Sequence, residues 1–223
     1  MNKICIIPVR EGSQRVKLKN FRVFDEAKNQ SLLDRKIEQL TEFYTNSEII
    51  ISSSSNMAYE TAKKHSVKFS ERIENYSNST TPWPAVVNHI LTNINSPPET
   101  IVTWALCTSP FFSRYQEAYN SFVSNDSKDS LISVYKRRTF FLKEDGTPIN
   151  FNPSFWHPYS QKLEPYYEIT GACFIATLND MLKWSYWFGP NPYLLETDYF
   201  ESLDIDEMAD FNASTKLLGI DNV

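Results

Sequence analysis

Near the front of the chain stands a set of groups suited to holding phosphate oxygens: Arg10, Ser13, Arg15, Lys17, Lys19 and Asn20, with Gly12 among them. Guanidinium and ammonium heads, hydroxyls and backbone amides are the usual ligands of phosphate. Glycine lets a backbone approach its ligand closely. The spacing is neither GxGxxG nor GxxxxGK, so it licenses neither a dinucleotide site nor a P-loop. Two readings stand at this point, an anion site and a solvated basic loop.

A second constellation lies near the other end. In Asp204–Ile205–Asp206 an extended backbone turns both carboxylates to one side and Ile205 to the other. Carboxylates suit Mg²⁺, which is often held by one or two of them together with ligand phosphates. The competing reading makes Asp206 a cap for the last helix and leaves Asp204 in water. Thr108 and Ser109 follow an apolar run and so stand where a strand delivers its exit loop. His157, Ser160 and Gln161 share the stretch WHPYSQ. A lone histidine among aromatics is more often a packing residue than a base, and neither a Ser-His-Asp spacing nor GxSxG accompanies it.

These residues need a scaffold, and the chain spells one out. Ile4 to Val9 is a continuous apolar run, the mark of a parallel strand covered on both faces, and Arg10 to Asn20 is its exit loop. Ser31 caps a helix reaching to about Tyr44, with Asp34 in its first turn and Leu33, Ile37, Leu40 and Tyr44 along one stripe. Strand character follows at 48–52, a helix at 57–65 and a short strand at 67–69, then a long loop over 72–81. Thr81 before Pro82 is a good helix start, and Trp83, Val86, Val87, Ile90, Leu91 and Ile94 line that helix. A strand at 100–106, expected to be central, and a helix capped by Ser113 precede a strand at 131–135. This alternation argues for a doubly wound α/β sheet.

The rhythm breaks at about 137–167, which is rich in aromatics and prolines and holds an Asp145–Gly146 turn signal. That segment reads as an arm leaving the sheet, covered either by a second subunit or by its own domain. Beyond it come a strand at 169–176, a helix at 178–184, a turn at Gly189–Pro192 and a last helix with Met208, Phe211, Thr215 and Leu218 on one face.

At 223 residues the chain suits one domain, 1–223. A net charge of -5 argues against broad nucleic-acid binding. No run of apolar residues approaches a membrane span. Cys5, Cys107 and Cys173 are few and far apart, which fits buried thiols in a reducing compartment and not a zinc site.

Four segments, taken in order, resemble one family, the acylneuraminate cytidylyltransferases. The opening IIPVREGSQRVKLKN is similar to its strand followed by P-A-R-x-G-S-K, with Arg10, Ser13, Lys19 and Asn20 on the pattern. CTSPF at Cys107–Phe111 resembles P-T-S-P-L. ITGACFIA at Ile169–Ala176 resembles the strand with N-G-A-x-Y, and SLDIDEMADF resembles the late D-I-D-T segment. Departures mark a divergent member: Gln14 in place of a basic residue, Ser53–Ser54 for threonine-aspartate, Leu106–Cys107 for glutamine-proline, and Glu168 near the place of an arginine.

The resemblance implies a nucleotidyltransferase-type (Rossmann-like), mostly parallel sheet with flanking helices and an extended dimerisation arm. It implies transfer of CMP from CTP to an acidic, nonulosonic acid-like sugar with release of pyrophosphate, in a cytoplasmic homodimer. Arg10, Arg15, Lys19 and Asp204 are then the catalytic residues. Arg10, Gly12, Ser13, Asn20, Ser54 and Thr108 meet the nucleotide, and Asp204 and Asp206 hold Mg²⁺. His157, Ser160 and Gln161 on the arm are the candidates for the sugar side. Two other readings share these residues: a nucleotidyltransferase with another nucleotide or acceptor, and a nucleotide-binding homologue without turnover.

Overall fold

Parallel strands buried on both faces form where β-branched residues run without polar interruption, and the first half of the chain follows that rule. A computed structural model describes residues 2–78 and 80–218. Its strands are β1 Lys3–Pro8, β2 Val23–Asp25, β3 Gln30–Ser31, β4 Ile49–Ser53, β5 Lys68–Glu71, β6 Ile101–Trp104, β7 Ser130–Arg137, β8 Tyr166–Thr177 and β9 Pro192–Thr197. Its α-helices are α1 Leu32–Thr41, α2 Asn56–Lys64, α3 Trp83–Thr92, α4 Tyr115–Val123, α5 Leu178–Trp184 and α6 Met208–Leu217.

Seven strands make one sheet in the order β5-β4-β1-β6-β8-β7-β9, while β2 and β3 pair separately. Every neighbouring pair in the large sheet is parallel except the two that β8 makes, with β6 and β7. Helices cover both faces. Cys5 and Ile7 of β1 pack with Leu33, Ile37, Ala58 and Phe211 on one side. Ile4 and Ile6, pointing the other way, pack with Val87 and Ile90 of α3 and Met181 of α5. The period of two along β1 thus feeds two separate cores.

Strand order also fixes where a ligand can lie. From β1 the sheet runs to β4 and β5 on one side and to β6 on the other. This reversal opens a crevice at the carboxyl ends of β1 and β6, the switch point at which open α/β sheets bind ligands. The Arg10–Asn20 loop and the Ala105–Pro110 loop both leave from there.

Local signals in the first half hold closely. Ser31 caps α1 in a reciprocal box with Asp34, a device worth roughly 1 kcal/mol. Several expectations are corrected. Thr81 does not cap α3; Pro82 holds that position, and the Thr81 hydroxyl instead donates to the Asn75 carbonyl. Arg114, not Ser113, stands at the start of α4, and its buried face is Tyr115 and Ala118, with Val123 exposed. In α6 the buried residues are Phe211 and Ser214, and Met208 faces solvent. Strand β9 was not foreseen: its leading Pro192 signals a turn, yet proline is tolerated as the first residue of an edge strand. The two-stranded β2–β3 pair is too short to show a period.

Residues 138–165 leave the sheet between β7 and β8, as the arm reading expects. They carry one isolated bridge, Leu142 to Pro148, and a turn with Gly146 at φ 82°. No helix among the described residues is long and apolar enough to cross a membrane. All three cysteines are buried and unpaired.

Candidate active site

At the switch point lies a cleft of about 510 Å³. Its cationic wall carries Arg10, Arg15, Lys19 and Arg72, and its apolar wall carries Trp83, Val86 and Leu106. Ser13, Asn20, Thr108 and Asp206 also line it. Four cations against one lining carboxylate give the cleft a positive lining, which favours anions.

The front loop is wired to the far end of the chain. Arg15 contacts the Asp206 carboxylate at 3.0 Å and Lys19 contacts the same oxygen at 3.5 Å. The Lys19 ammonium also donates to the Ile205 carbonyl. The Ile205 amide donates to the Thr108 carbonyl at 2.8 Å. Residues 19, 108 and 205 are therefore stitched together although 186 positions separate the outer two. Ile205 is fully buried, so the extended Asp204–Asp206 segment is anchored by its middle residue while its carboxylates stay outside. Asp206 is not a helix cap: Glu207 precedes α6, and the Asp210 carboxylate accepts from the amides of Asp206 and Glu207.

Of the two expected carboxylates only Asp206 lines the cleft; Asp204 is an exposed residue outside that lining whose carboxyl is nevertheless crowded by protein. Loss of hydration raises its pKa, Asp206 adds to the rise, and a hydrogen bond to Thr108 opposes it. A cation in this recess would reverse that shift. Among the described residues no three His, Cys, Asp or Glu side chains gather into a metal cage. Two neighbouring carboxylates, Asp204 and Asp206, are the donor types that a hard cation such as Mg²⁺ takes together with ligand phosphates. The Arg15–Asp206 pair is solvent-exposed at both ends, with 61% and 50% of the side chains accessible. Such pairs contribute at most about 1 kcal/mol, so a phosphate competes with it readily.

One polar atom of the cleft lining points to a ligand. The side-chain amide oxygen of Asn20 is buried and has no partner among the described residues; the Ser109 hydroxyl is likewise unpartnered but lies outside the lining. Orphaned buried acceptors are uncommon in native proteins. Gly171 of β8 keeps the floor open: a Cβ there would stand 3.0 Å from the Leu106 side chain and 3.7 Å from an Asp204 carboxylate oxygen.

Arg72 escaped the sequence reading, which placed it at the start of a loop and gave it no role. The residue is 4% exposed, and its guanidinium donates to the Val9 carbonyl and the Ser77 hydroxyl and has no carboxylate partner among the described residues. Burial, with Arg10 nearby, pulls its pKa down to about 10. Trp83 was assigned to the core, yet it also faces the cleft, held against Trp187 at a centroid distance of 4.7 Å. No local signal marks either residue, because each reaches the site through tertiary packing: Arg72 through the Val9 carbonyl and Trp83 against Trp104 and Trp187.

Other expected residues lie elsewhere. Gly12 and Ser54 are exposed and do not line the cleft. A Cβ on Gly12 would meet nothing within 4 Å, so no close approach requires that glycine; the positive φ in this loop belongs to Leu18, at 53°. His157 stacks on Phe140 at 4.8 Å within the arm. Ser160 lies in a short 3₁₀ turn, and the Gln161 carbonyl accepts from Arg138. None of these three lines the cleft. Glu168 is exposed and paired with Arg137 at 2.6 Å.

Comparison with known proteins agrees with this geometry. Two pseudaminic acid cytidylyltransferases of Campylobacter jejuni subsp. jejuni, from serotypes O:2 and O:23/36, are 26% and 27% identical over 219 residues, covering 94% of this chain and 93% of theirs. The solved CMP:2-keto-3-deoxy-manno-octonic acid synthetase complexed with CTP superposes with a TM-score of 0.68 at 9% identity, covering 98% of both chains. The 2-C-methyl-D-erythritol 4-phosphate cytidylyltransferase of Francisella tularensis gives 0.68 at 13% identity, over 97% of this chain and 99% of that one. These likenesses show an α/β nucleotidyltransferase fold. The sequence profile described as cytidylyltransferase matches residues 4–142, and the chain belongs to that family.

Proposed function

We propose that this chain transfers CMP from CTP to a hydroxyl of an acidic, nonulosonic acid-like sugar. The hydroxyl oxygen bonds to the α-phosphorus, the bond from that phosphorus to the bridging oxygen breaks, and pyrophosphate leaves. One observation carries the reading: the cations of the front loop and Asp206 share one cleft at the switch point. The names of the Campylobacter relatives support an acidic nine-carbon sugar as acceptor.

Such a transfer needs alignment and charge neutralisation more than a covalent residue. Arg10, Arg15 and Lys19 hold the triphosphate, and Arg72 adds a desolvated positive charge from beneath. Ser13 and Thr108 donate to phosphate or ribose oxygens. The Asn20 side-chain amide oxygen, without a partner among the described residues, accepts from the nucleoside. With Leu106 and Trp83 on the opposite wall, selection of the base falls on backbone groups and shape. Asp204 and Asp206 hold Mg²⁺, which when bound neutralises phosphate charge and makes the attacking hydroxyl more acidic. Lys19 keeps Asp206 oriented through its contact with that carboxylate.

The acceptor side is completed by a second copy in a homodimer. Phe155, Trp156 and Tyr159 are 91%, 83% and 76% exposed, a concentration of bare aromatic surface that favours a protein partner. His157, Ser160 and Gln161 travel with them and meet the sugar in the neighbouring subunit. The same reading puts the enzyme in the cytoplasm, where CTP is made.

Pyrophosphate release measured over the four nucleoside triphosphates and a panel of acidic sugars, with Mg²⁺, tests this. CTP with a nonulosonic acid is expected to give the highest rate. Release with a different nucleotide, or with no pair at all, overturns it.

A further inference from the structure

Beneath the cleft, on α1, Lys36 is fully buried. Its ammonium donates to the Ser109 carbonyl at 2.9 Å, the Phe112 carbonyl at 3.2 Å and the Tyr115 hydroxyl at 2.8 Å. No carboxylate pairs with it among the described residues. The titratable groups around it are Cys5 from β1, Cys107 from the loop, Cys173 from β8 and Arg35 from its own helix. Burial keeps those three thiols protonated. A methionine would fill the same space without the penalty of burying a charge, so packing alone gives no reason for a lysine here.

What the lysine holds is the loop that carries the site. Ser109 directly follows Thr108. Two neighbours on α1 reinforce the grip: Arg35 and Gln39 both donate to the Pro110 carbonyl, at 2.7 and 2.8 Å. From Thr108 the chain of contacts continues upward, because the Thr108 carbonyl receives the Ile205 amide.

We propose that Lys36 is a positioning residue for the carboxylate pair: by gripping the Ser109 and Phe112 carbonyls it fixes Thr108, which sets where Ile205 stands, and with it Asp206 on the cleft lining and Asp204 two residues before it. The inference rests on the reading that those aspartates act, but its wiring is testable without activity. Three acceptors around three donors leave the ammonium fully satisfied, with the Tyr115 hydroxyl within 3.4 Å of the Ala172 carbonyl. The ammonium therefore joins α1, the loop after β6 and α4 at a single atom, and the Tyr115 hydroxyl carries the link on to β8.

The experiment compares the full-length protein with Lys36→Met and with Leu40→Ala, a core change on the same helix that touches no loop carbonyl. Hydrogen exchange of the Ile205 amide and of 106–112 is followed alongside the Mg²⁺ dependence of turnover. Lys36→Met is expected to speed exchange of the Ile205 amide about tenfold relative to Leu40→Ala, the scale of losing hydrogen bonds to a charged group. It should raise half-saturating Mg²⁺ about tenfold, with KM for CTP changed less than twofold. The proposal is overturned if Ile205 exchange and the Mg²⁺ response follow those of Leu40→Ala. If the unaltered protein shows no turnover, the functional reading fails while the exchange comparison still decides the wiring. Should Lys36→Met not fold, Tyr115→Phe removes one partner, with about threefold faster Ile205 exchange expected and no change counting against the proposal.

Discussion

The cleft and the arm are built by opposite rules. Around the cleft, residues from the front, middle and end of the chain are cross-linked by hydrogen bonds, and the side chains that set its floor are buried. In the arm, contacts stay local: His157 stacks on Phe140, the Asn150 amide donates to Thr139, and the largest rings stand in solvent. The difference teaches that one chain suffices to bring these cations and Asp206 into one cleft. The arm has surface to spare and nothing of its own to place it on. A preorganised site costs little reorganisation when charge develops, whereas exposed aromatics are stabilised only once they are covered.

The sharpest way to break this contrast is to remove the carboxylates. Asp204→Asn and Asp206→Asn are each expected to lower Mg²⁺-dependent kcat by 10²–10³-fold, by analogy with losing one preorganised transition-state contact. Single-turnover kinetics with an unchanged rate would detach the pair from the reaction. On the arm, Trp156→Ala is expected to weaken self-association by about thirtyfold, since central aromatics contribute roughly 2 kcal/mol at interfaces. Sedimentation velocity checks this. A chain that is monomeric before the change would leave the arm without its partner and the acceptor side unexplained.

A smaller effect separates the wall from the loop. Arg72→Ala should raise KM for CTP about tenfold, the loss expected for one charge-assisted contact, with kcat nearly unchanged, and isothermal titration with CTP gives the same number independently.

The buried lysine beneath the cleft also gives a pH signature that the exposed arm lacks. Burial lowers the Lys36 pKa from 10.5 to about 7. Between pH 7 and pH 9 the unfolded chain holds this proton and the folded chain releases it, so this group makes stability rise with pH, by at most about 1.4 kcal/mol per pH unit. Above pH 9 the trend reverses, because burial pushes Cys107 and Cys173 up to about 12 and the unfolded thiols ionise first. Urea denaturation from pH 6 to pH 10 should show the rise in the unaltered chain and a flatter curve in Lys36→Met.

Smallest is the floor. Gly171→Ala places a methyl 3.0 Å from the end of the Leu106 side chain, which can turn aside. A loss of about 1 kcal/mol in thermal stability is expected, with a modest rise in KM. A rate change beyond tenfold would mean that Asp204, also within reach of that methyl, is less tolerant than its open setting suggests.

Much of the scaffold was legible because its rules are local. The unbroken apolar run of β1, the Ser31–Asp34 box and the stripe of α3 each carry their own period or cap. The basic loop and the two aspartates were legible as chemistry for the same reason: residue types in a short span. Other features were invisible to such rules. An edge strand headed by proline looks like a turn. Thr81 and Ser113 look like caps, but their hydroxyls were free to bond elsewhere or to stand idle. Arg72 and Trp83 reach the cleft only because the chain leaving β5 carries Arg72 back to the Val9 carbonyl after β1, and because α3 begins with Trp83 on the cleft lining. Gly12 fits the family pattern and Ser54 stands at a place where the chain departs from it, and neither lines the cavity.

Residue order thus determined which groups exist to bind a phosphate and a hard cation, and which segments are strands or helices, since both follow from side-chain chemistry and periods of two or about four. Only the folded chain decided that Lys19, Thr108 and Ile205 meet, that Arg72 lies unpaired against the site, and that Lys36 grips the loop from below. Those contacts join residues far apart in sequence. Their geometry comes from strand order and layer packing, which no window of neighbouring residues contains.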